Sequence, residues 1–153
     1  METVRVVFDG IPLIVPVIAG QPMEFPYDTH QAFPAYCGAG QGIGNALVPE
    51  TIERVRVSVA CYIHDVMFAV ADKTWTEFHN CNYIFFLNLL SVIQKKAKTL
   101  EQRYKALKYI YLYFLAVDKL SQIFFFKEGD LDEQRQNLDR CEGSTDVAYF
   151  SRN

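Results

Sequence analysis

The sequence has no large excess of either charge and no long hydrophobic run, and these absences exclude two functional classes. Fifteen Lys and Arg residues stand against eighteen Asp and Glu residues, which gives a net charge of −3. A chain this balanced lacks the basic surface that grips a phosphate backbone, so we expect no nucleic-acid partner. The longest uninterrupted apolar stretch, residues 109–117, is far shorter than the roughly 20 residues of a transmembrane helix. No transmembrane segment is therefore predicted.

The N-terminus lacks the features of a secretory signal peptide. A signal needs a basic region followed by a continuous apolar stretch, but the first 20 residues are interrupted by Asp9, Gly10, Pro12 and Pro16. We therefore expect no signal peptide and synthesis in the cytoplasm.

Cysteine is also scarce, whereas apolar residues are plentiful. Four cysteines in 153 residues are too few for a disulfide-dense scaffold, and composition leaves their oxidation state open. Half of the residues are apolar and 14% are aromatic, which is ample for one packed core. We predict a single domain over residues 1–128 and a polar, acidic tail over residues 129–153.

The first 50 residues have the pattern of strand and loop. Two runs of β-branched residues, Val4–Phe8 and Ile11–Val17, flank an Asp9-Gly10 turn and predict a hairpin. The prolines of the second run predict that this strand lies at a sheet edge. Residues 20–49 have no periodicity, but they carry aromatic residues that we expect to pack on the core: Phe25, Tyr27, Phe33 and Tyr36.

The remainder predicts three helices, and hence a mainly α fold with a small N-terminal β-hairpin. We expect the first at about residues 59–71, capped by Ser58, and the second from a Thr74-x-x-Glu77 capping box to about Lys96. The third is predicted from a Thr99 cap to about residue 125, with Gly129 ending it. Its aromatic belt is predicted to be core: Tyr104, Tyr109, Tyr111, Tyr113 and Phe114.

Two motifs carry chemistry, YCGAGQG at residues 36–42 and CYIHD at residues 61–65. Alternate glycines let backbone carbonyls turn inward, as a hard cation with oxygen ligands requires, and Asp65 can complete the charge balance. His64, on the same helical turn, can serve as a general base beside such a cation. The pair of motifs suits ester hydrolysis assisted by a metal.

The order of these motifs, YCGxG followed by CxxHD and an aromatic residue three positions later, resembles the secretory phospholipase A2 superfamily. The similarity extends over residues 36–93. It implies a helical core in which two antiparallel helices carry the site beside a third long helix. It further implies a calcium-dependent hydrolase whose partner is a phospholipid or another lipid ester at an interface, and a bacterial, phage or virion-associated origin.

The resemblance assigns roles residue by residue. Calcium would be held by Tyr36, Gly38 and Gly40 through their carbonyls and by Asp65 through its carboxylate. Cys37 would form a disulfide with Cys61, which leaves Cys81 and Cys141 free. The catalytic base would be His64, oriented by the residue at position 82.

The sequence departs from the family pattern at two positions beside the base. Asn82 stands where the family has an aspartate that orients the histidine, and Phe68 replaces a tyrosine that supports that aspartate. An amide oxygen can still accept the imidazole N–H, but it cannot stabilise an imidazolium as a carboxylate does. Impaired catalysis is one expectation; the alternative is an inactive module with a structural or interaction role.

Other interpretations of the same residues remain. Cys61-x-x-His64 and His79-x-Cys81 could be read as a zinc site, but His79 and Cys81 would point about 200° apart on a helix. His30 and His79 are predicted to be surface or loop residues. The third helix begins with a cluster of basic residues. The alternative to a core position for its aromatic face is therefore that this face meets an anionic lipid interface. The oligomeric state is not predicted.

Overall fold

The structure, a computed structural model, describes residues 1–33, Cys37 and residues 49–126. Its strands are β1 (Thr3–Phe8), β2 (Ile11–Ile18), β3 (Gln21–Pro22), β4 (Thr51–Ile52) and β5 (Val55–Arg56). Its helices are α1 (Ser58–Val70), α2 (Trp75–Lys96), α3 (Leu100–Leu120) and α4 (Gln122–Phe125). The described part is mainly helical with a small antiparallel sheet, as predicted. The proposed tail, residues 129–153, lies outside the described residues.

The predicted N-terminal hairpin is confirmed. Strands β1 and β2 pair antiparallel, and their closing pair is Phe8 with Ile11. The two turn residues, Asp9 and Gly10, have φ angles of 49° and 71°. Both angles lie in the left-handed region, as the turn type that matches the twist of a two-residue hairpin requires. A second turn of this kind leads into β3, a strand that is not predicted from the sequence.

The prediction that β2 is an edge strand is wrong, because the sheet order is β1-β2-β3. The two prolines are tolerated because of the register. Val17 donates its N–H to the carbonyl of Glu2 at 3.0 Å. Alternate residues of a strand bond to the same neighbour, so the nitrogens of Pro12 and Pro16 face away from β1. No ladder hydrogen bond between β1 and β2 is lost to them.

Helix α1 agrees with its prediction to within one residue, but its cap does not. The N-cap residue is Val57, and no side chain caps the helix. Ser58 lies in the first turn, fully buried, and donates its hydroxyl to a carboxylate oxygen of Glu50. Ser58 therefore joins the start of α1 to the preceding chain rather than to its own helix.

The predicted N-caps of the two longer helices are confirmed, but the reciprocal half of the Thr74-x-x-Glu77 capping box is not formed, because the Glu77 carboxylate pairs with the N-terminal amine of Met1. The Thr74 hydroxyl accepts the Glu77 N–H at 3.2 Å, and the Thr99 hydroxyl accepts the Gln102 N–H at 3.1 Å. Each satisfies a backbone donor that has no partner inside its helix.

Helical structure extends to Phe125, as predicted for the third helix, but it is interrupted after Leu120. Helix α3 ends at Leu120, and α4 is a separate turn. The buried stripe of α3 would continue to position 124, yet Phe124 is 58% exposed whereas Phe125 and Phe126 are buried. The interruption after Leu120 brings these two neighbouring rings onto the core, against Phe78. Gly129 lies outside the described residues.

The outer face of α3 contradicts the expectation that its aromatic belt is core. The buried stripe consists of Ala106, Ile110, Tyr113 and Val117. Three of the tyrosines assigned to the core are instead more than half exposed: Tyr104, Tyr109 and Tyr111. A single helix on the outside of a small domain buries one stripe, so apolar residues on its other faces stay at the surface.

The core lies between the sheet, α1 and α2. The inward residues of β2, Ile11, Leu13 and Val15, have no exposed surface. The long connection after β3 packs on it as predicted: Phe25 stacks on Phe8 with ring centroids 4.1 Å apart, and Phe33 is fully buried. Tyr36 lies outside the described residues.

Helices α1 and α2 pack antiparallel. His64 contacts Phe85, whereas Phe68, one turn later on α1, contacts Phe78, which lies earlier on α2. No helix in the described part of the chain is long and apolar enough to cross a bilayer.

A candidate site built on His64

The centre of the candidate site is a hydrogen bond between α1 and α2. The Nε2 atom of His64 lies 2.8 Å from Oδ1 of Asn82. Asn82 has no exposed surface and His64 has 7%. The two residues that the resemblance selects as base and orienting partner are thus in contact. Within the described residues, no hydrogen bond reaches the second ring nitrogen, Nδ1 of His64.

Aromatic side chains surround the imidazole. The ring centroids of Phe68 and Phe85 lie 4.1 and 4.6 Å from that of His64. Burial lowers the pKa of His64 to about 4, although its hydrogen bond with Asn82 acts in the opposite direction. The imidazole is therefore neutral at pH 7. Phe68 itself packs against Phe125, with ring centroids 4.8 Å apart. Phe68 stands where the resemblance places a tyrosine, and its surroundings are apolar.

Asn82 has a second partner that is not predicted from the sequence. Its Nδ2 donates to Oδ1 of Asp118, near the end of α3, at 3.1 Å. The exposed ring of His79 contacts the same carboxylate, with Nδ1 3.5 Å from the same oxygen. One signal could have found Asp118, since it is the only acidic residue between Glu101 and Glu128. A single acid in such an apolar stretch is often paired with a buried polar group.

A disulfide joins Cys37 to Cys61, as the resemblance implies, with Cα atoms 5.2 Å apart. It ties the region of the glycine-rich motif to α1 three residues before His64. The backbone N–H of Cys37 also donates to a carboxylate oxygen of Glu50 at 2.7 Å. On the other side, Sγ of Cys61 lies 3.4 Å from the hydroxyl of Tyr113.

The predicted free state of Cys81 is confirmed. Cys81 is buried on α2, and burial raises the pKa of its thiol to about 12. The thiolate is the reactive form, so this cysteine is chemically inert at neutral pH. Cys141 lies outside the described residues.

Asp65 follows His64 and points away from the core. It has no hydrogen-bonding or ionic partner among residues 1–33, 37 and 49–126, and it is an exposed residue. Desolvation by the surrounding protein nevertheless raises the pKa of its carboxyl well above the ordinary value. The other residues assigned to calcium, Tyr36, Gly38 and Gly40, lie outside the described residues.

The alternative metal site is not assembled. The described residues contain no group of three or more His, Cys, Asp or Glu side chains suited to a metal ion. Cys61 is occupied by the disulfide, which removes one ligand of the considered zinc site.

The two remaining histidines differ from each other. His79 is a surface residue, as predicted. His30 lies in a loop, the other alternative of the prediction, but it is buried, with 4% of its surface exposed. Its Nδ1 lies 2.7 Å from Oδ2 of Asp9, and its Nε2 lies 2.8 Å from Nε2 of Gln31. Both ring nitrogens therefore have partners, and His30 closes the loop onto the hairpin turn.

Strands β4 and β5 pair antiparallel as a short hairpin, and a groove of about 420 Å³ opens between this hairpin and α3. Its lining includes Ile52, Tyr109, Leu112, Tyr113 and Ala116. Because Tyr113 also contacts Cys61, the groove and the His64 region share a wall.

Comparisons of the chain with protein-family models, with curated proteins and with solved structures find no match.

Proposed function

We propose that the protein is a calcium-dependent lipid-ester hydrolase of the phospholipase A2 type, with a phospholipase A2-like helical core. The observation that carries the proposal is the 2.8 Å contact between His64 and Asn82. It pairs a histidine with an orienting side chain from a second, antiparallel helix. The Cys37–Cys61 disulfide beside this pair supports the same reading.

His64 would act as the general base. Oδ1 of Asn82 accepts a hydrogen bond from Nε2–H, so the lone pair of the ring lies on Nδ1, which would take a proton from the attacking water. Asn82 carries no charge to stabilise the resulting imidazolium, and the pKa of His64 is low. Both properties predict slow turnover.

Calcium is the cation that this reading requires. Asp65 fits a cation ligand, because its partly desolvated carboxylate has no partner in the described part of the chain. The carbonyls of Tyr36, Gly38 and Gly40 would complete the ligand set. Calcium, when bound, would polarise the ester carbonyl and stabilise negative charge on its oxygen.

The proposed substrate is a phospholipid or another lipid ester at an interface. Two features support an apolar substrate: the groove beside Tyr113 and the exposed apolar residues on the outside of α3, which include Tyr104, Tyr111 and Leu112. Exposed basic residues accompany this face, as on helices that bind anionic lipid surfaces: Lys105, Lys108 and Lys119.

The second candidate is an inactive module that keeps this architecture for a structural or interaction role. The neutral Asn82 and the strongly lowered pKa of His64 favour it. Both would be acceptable in a buried polar pair whose only task is to satisfy its hydrogen bonds.

Release of fatty acid from mixed phospholipid vesicles, in calcium or in chelator, separates the two candidates. We expect slow, calcium-dependent release by the wild type and none by His64→Gln, which retains a hydrogen-bond donor toward Asn82. The hydrolase proposal is abandoned only if two proteins lack activity: the wild type and the gain-of-function variant described next.

The gain-of-function variant has to change two residues. Asn82→Asp alone would place a carboxylate about 3.1 Å from the carboxylate of Asp118, where the Asn82 amide donates now. Combining it with Asp118→Asn restores one amide and one carboxylate at the same two positions. The double variant would give His64 a charged partner, and we expect it to exceed the wild type in activity.

A further inference from the structure

We propose that Asp118 is a positioning residue that sets the tautomer of His64 through the side chain of Asn82. The inference rests on the proposed function only for its consequence in turnover. The tautomer itself is a property of the folded chain.

Asp118 determines which way the carboxamide of Asn82 faces. An ionised carboxylate accepts hydrogen bonds and donates none, so the group 3.1 Å from Oδ1 of Asp118 must be the NH2 of Asn82. The carbonyl oxygen of Asn82 consequently points the other way, toward Nε2 of His64 at 2.8 Å. Asn82 has no exposed surface, so water cannot compensate for a reversed amide.

The orientation of Asn82 in turn places the proton of the imidazole. A carbonyl oxygen only accepts, so Nε2 of His64 must carry the hydrogen, and Nδ1 must carry the lone pair. A base needs that lone pair on the nitrogen that faces its substrate. If Asn82 presented its NH2 to His64 instead, Nε2 would have to be the acceptor and Nδ1 would be protonated and unable to act.

A carboxylate is suited to this task in a way that a hydroxyl or a second amide is not. Hydroxyl and amide groups both donate and accept, so they are compatible with either orientation of Asn82. Asp118 lies on a third helix, α3, and is itself mostly covered, with 19% of its side chain exposed. Three helices therefore each contribute one member of the chain Asp118–Asn82–His64.

His79 is the other neighbour of the Asp118 carboxylate, with Nδ1 at 3.5 Å. It is exposed, and the direct 3.1 Å hydrogen bond from Asn82 to Asp118 does not pass through it. His79→Gln is therefore a matched control: it changes a partner of Asp118 without touching the amide of Asn82.

The test is two-bond ¹H–¹⁵N correlation NMR of the imidazole nitrogens in the full-length, ¹⁵N-labelled chain at neutral pH. Protonated and unprotonated ring nitrogens have widely separated shifts, so the tautomer of each histidine is read directly. We expect His64 to be entirely the Nε2–H form in the wild type and in His79→Gln. In Asp118→Leu, which removes the acceptor, the Nδ1–H form should appear.

Turnover provides the second measurement. In Asp118→Leu, kcat should fall in proportion to the Nε2–H population that is lost, with KM unchanged. A backbone ¹H–¹⁵N spectrum establishes that the variant is folded, and Asp118→Ala replaces it if it is not.

The inference is overturned by an Nδ1–H tautomer in the wild type, a measurement that needs no variant. It is equally overturned by a folded Asp118→Leu or Asp118→Ala protein that keeps the pure Nε2–H form. Absence of esterase activity in both the wild type and the Asn82→Asp/Asp118→Asn variant would remove the proposed function and leave the tautomer result standing. An active enzyme whose His64 tautomer is unchanged in Asp118→Leu would overturn the inference about Asp118 and leave the proposed function standing.

Discussion

The carboxamide of Asn88 pairs with the backbone of Ile14 as a neighbouring strand would. Its Oδ1 accepts the Ile14 N–H and its Nδ2 donates to the Ile14 carbonyl, both at 2.8 Å. Ile14 lies between Pro12 and Pro16, so Asn88 meets the one N–H available along this stretch of β2 on the side away from β1. A single side chain on α2 thus satisfies the backbone that β3 is too short to reach.

We predict that Asn88→Ala lowers the free energy of unfolding by about 2 kcal/mol, because it leaves two backbone groups without partners. Urea denaturation followed by circular dichroism measures the change. Asn80→Ala, on the same helix, is the matched control. The structure gives Asn80 no side-chain hydrogen bond within the described residues, so we expect a change of less than about 0.5 kcal/mol. Equal effects of the two variants would contradict the role of Asn88.

The Cys37–Cys61 disulfide should stabilise the fold. It closes a loop with a sequence separation of 24. Loops of this size correspond to roughly 3 kcal/mol of stabilisation through the unfolded state. We expect the double variant Cys37→Ala/Cys61→Ala to unfold at lower urea by that amount. Alkylation of the denatured protein should modify Cys37 and Cys61 only after reduction, and modification without reductant would contradict the bridge.

Two carboxylates cannot share the space between α2 and α3 without cost. We predict that Asn82→Asp alone destabilises the protein by roughly 2 kcal/mol at neutral pH, because the new carboxylate meets that of Asp118. Adding Asp118→Asn should recover more than half of the loss. The penalty of the single variant should also shrink as the pH falls, since one of the two carboxylates then takes a proton. Additive effects of the two substitutions in a double-mutant cycle would contradict this coupling.

The pH dependence of stability should include a contribution from Asp9. Hydrogen bonds with His30, which has the larger effect, and with Lys96 lower the pKa of the Asp9 carboxyl to about 2. A carboxyl whose pKa is lower in the folded state stabilises the fold above its unfolded pKa and loses that effect as the pH falls through the folded pKa. We therefore expect the advantage of the wild type over Asp9→Asn to shrink between about pH 4 and pH 2.

The variant Asp9→Asn suits this measurement because asparagine tolerates the left-handed turn conformation at position 9. Urea midpoints of the two proteins, compared across the pH range, isolate the ionisation from the turn geometry. A pH-independent difference would contradict the assignment.

The two faces of α3 should respond differently to truncation. Ile110 is fully buried, whereas the adjacent Tyr111 is 58% exposed. We predict that Ile110→Ala lowers stability by about 3 kcal/mol and that Tyr111→Ala changes it by less than about 0.5 kcal/mol. Thermal or urea denaturation of both variants tests the placement of the helix, and a large loss at Tyr111 would show that its ring is covered.

The sequence by itself determined the elements whose causes are local. The hairpin turn at Asp9-Gly10 and the starts of α2 and α3, capped by Thr74 and Thr99, follow from residues that act within a few positions. The disulfide partner of Cys61 and the contact between His64 and Asn82 were available through the resemblance alone. Neither follows from periodicity.

Only the tertiary structure decided which groups far apart in the chain satisfy one another. The placement of β2 depends on Asn88, 74 positions beyond Ile14, and the outward aromatic face of α3 depends on how much surface α1 and α2 can cover. The tautomer of His64 depends on Asp118, which reaches it through Asn82. A buried donor or acceptor takes whichever partner the packing brings within hydrogen-bond distance, and local sequence carries no record of that choice.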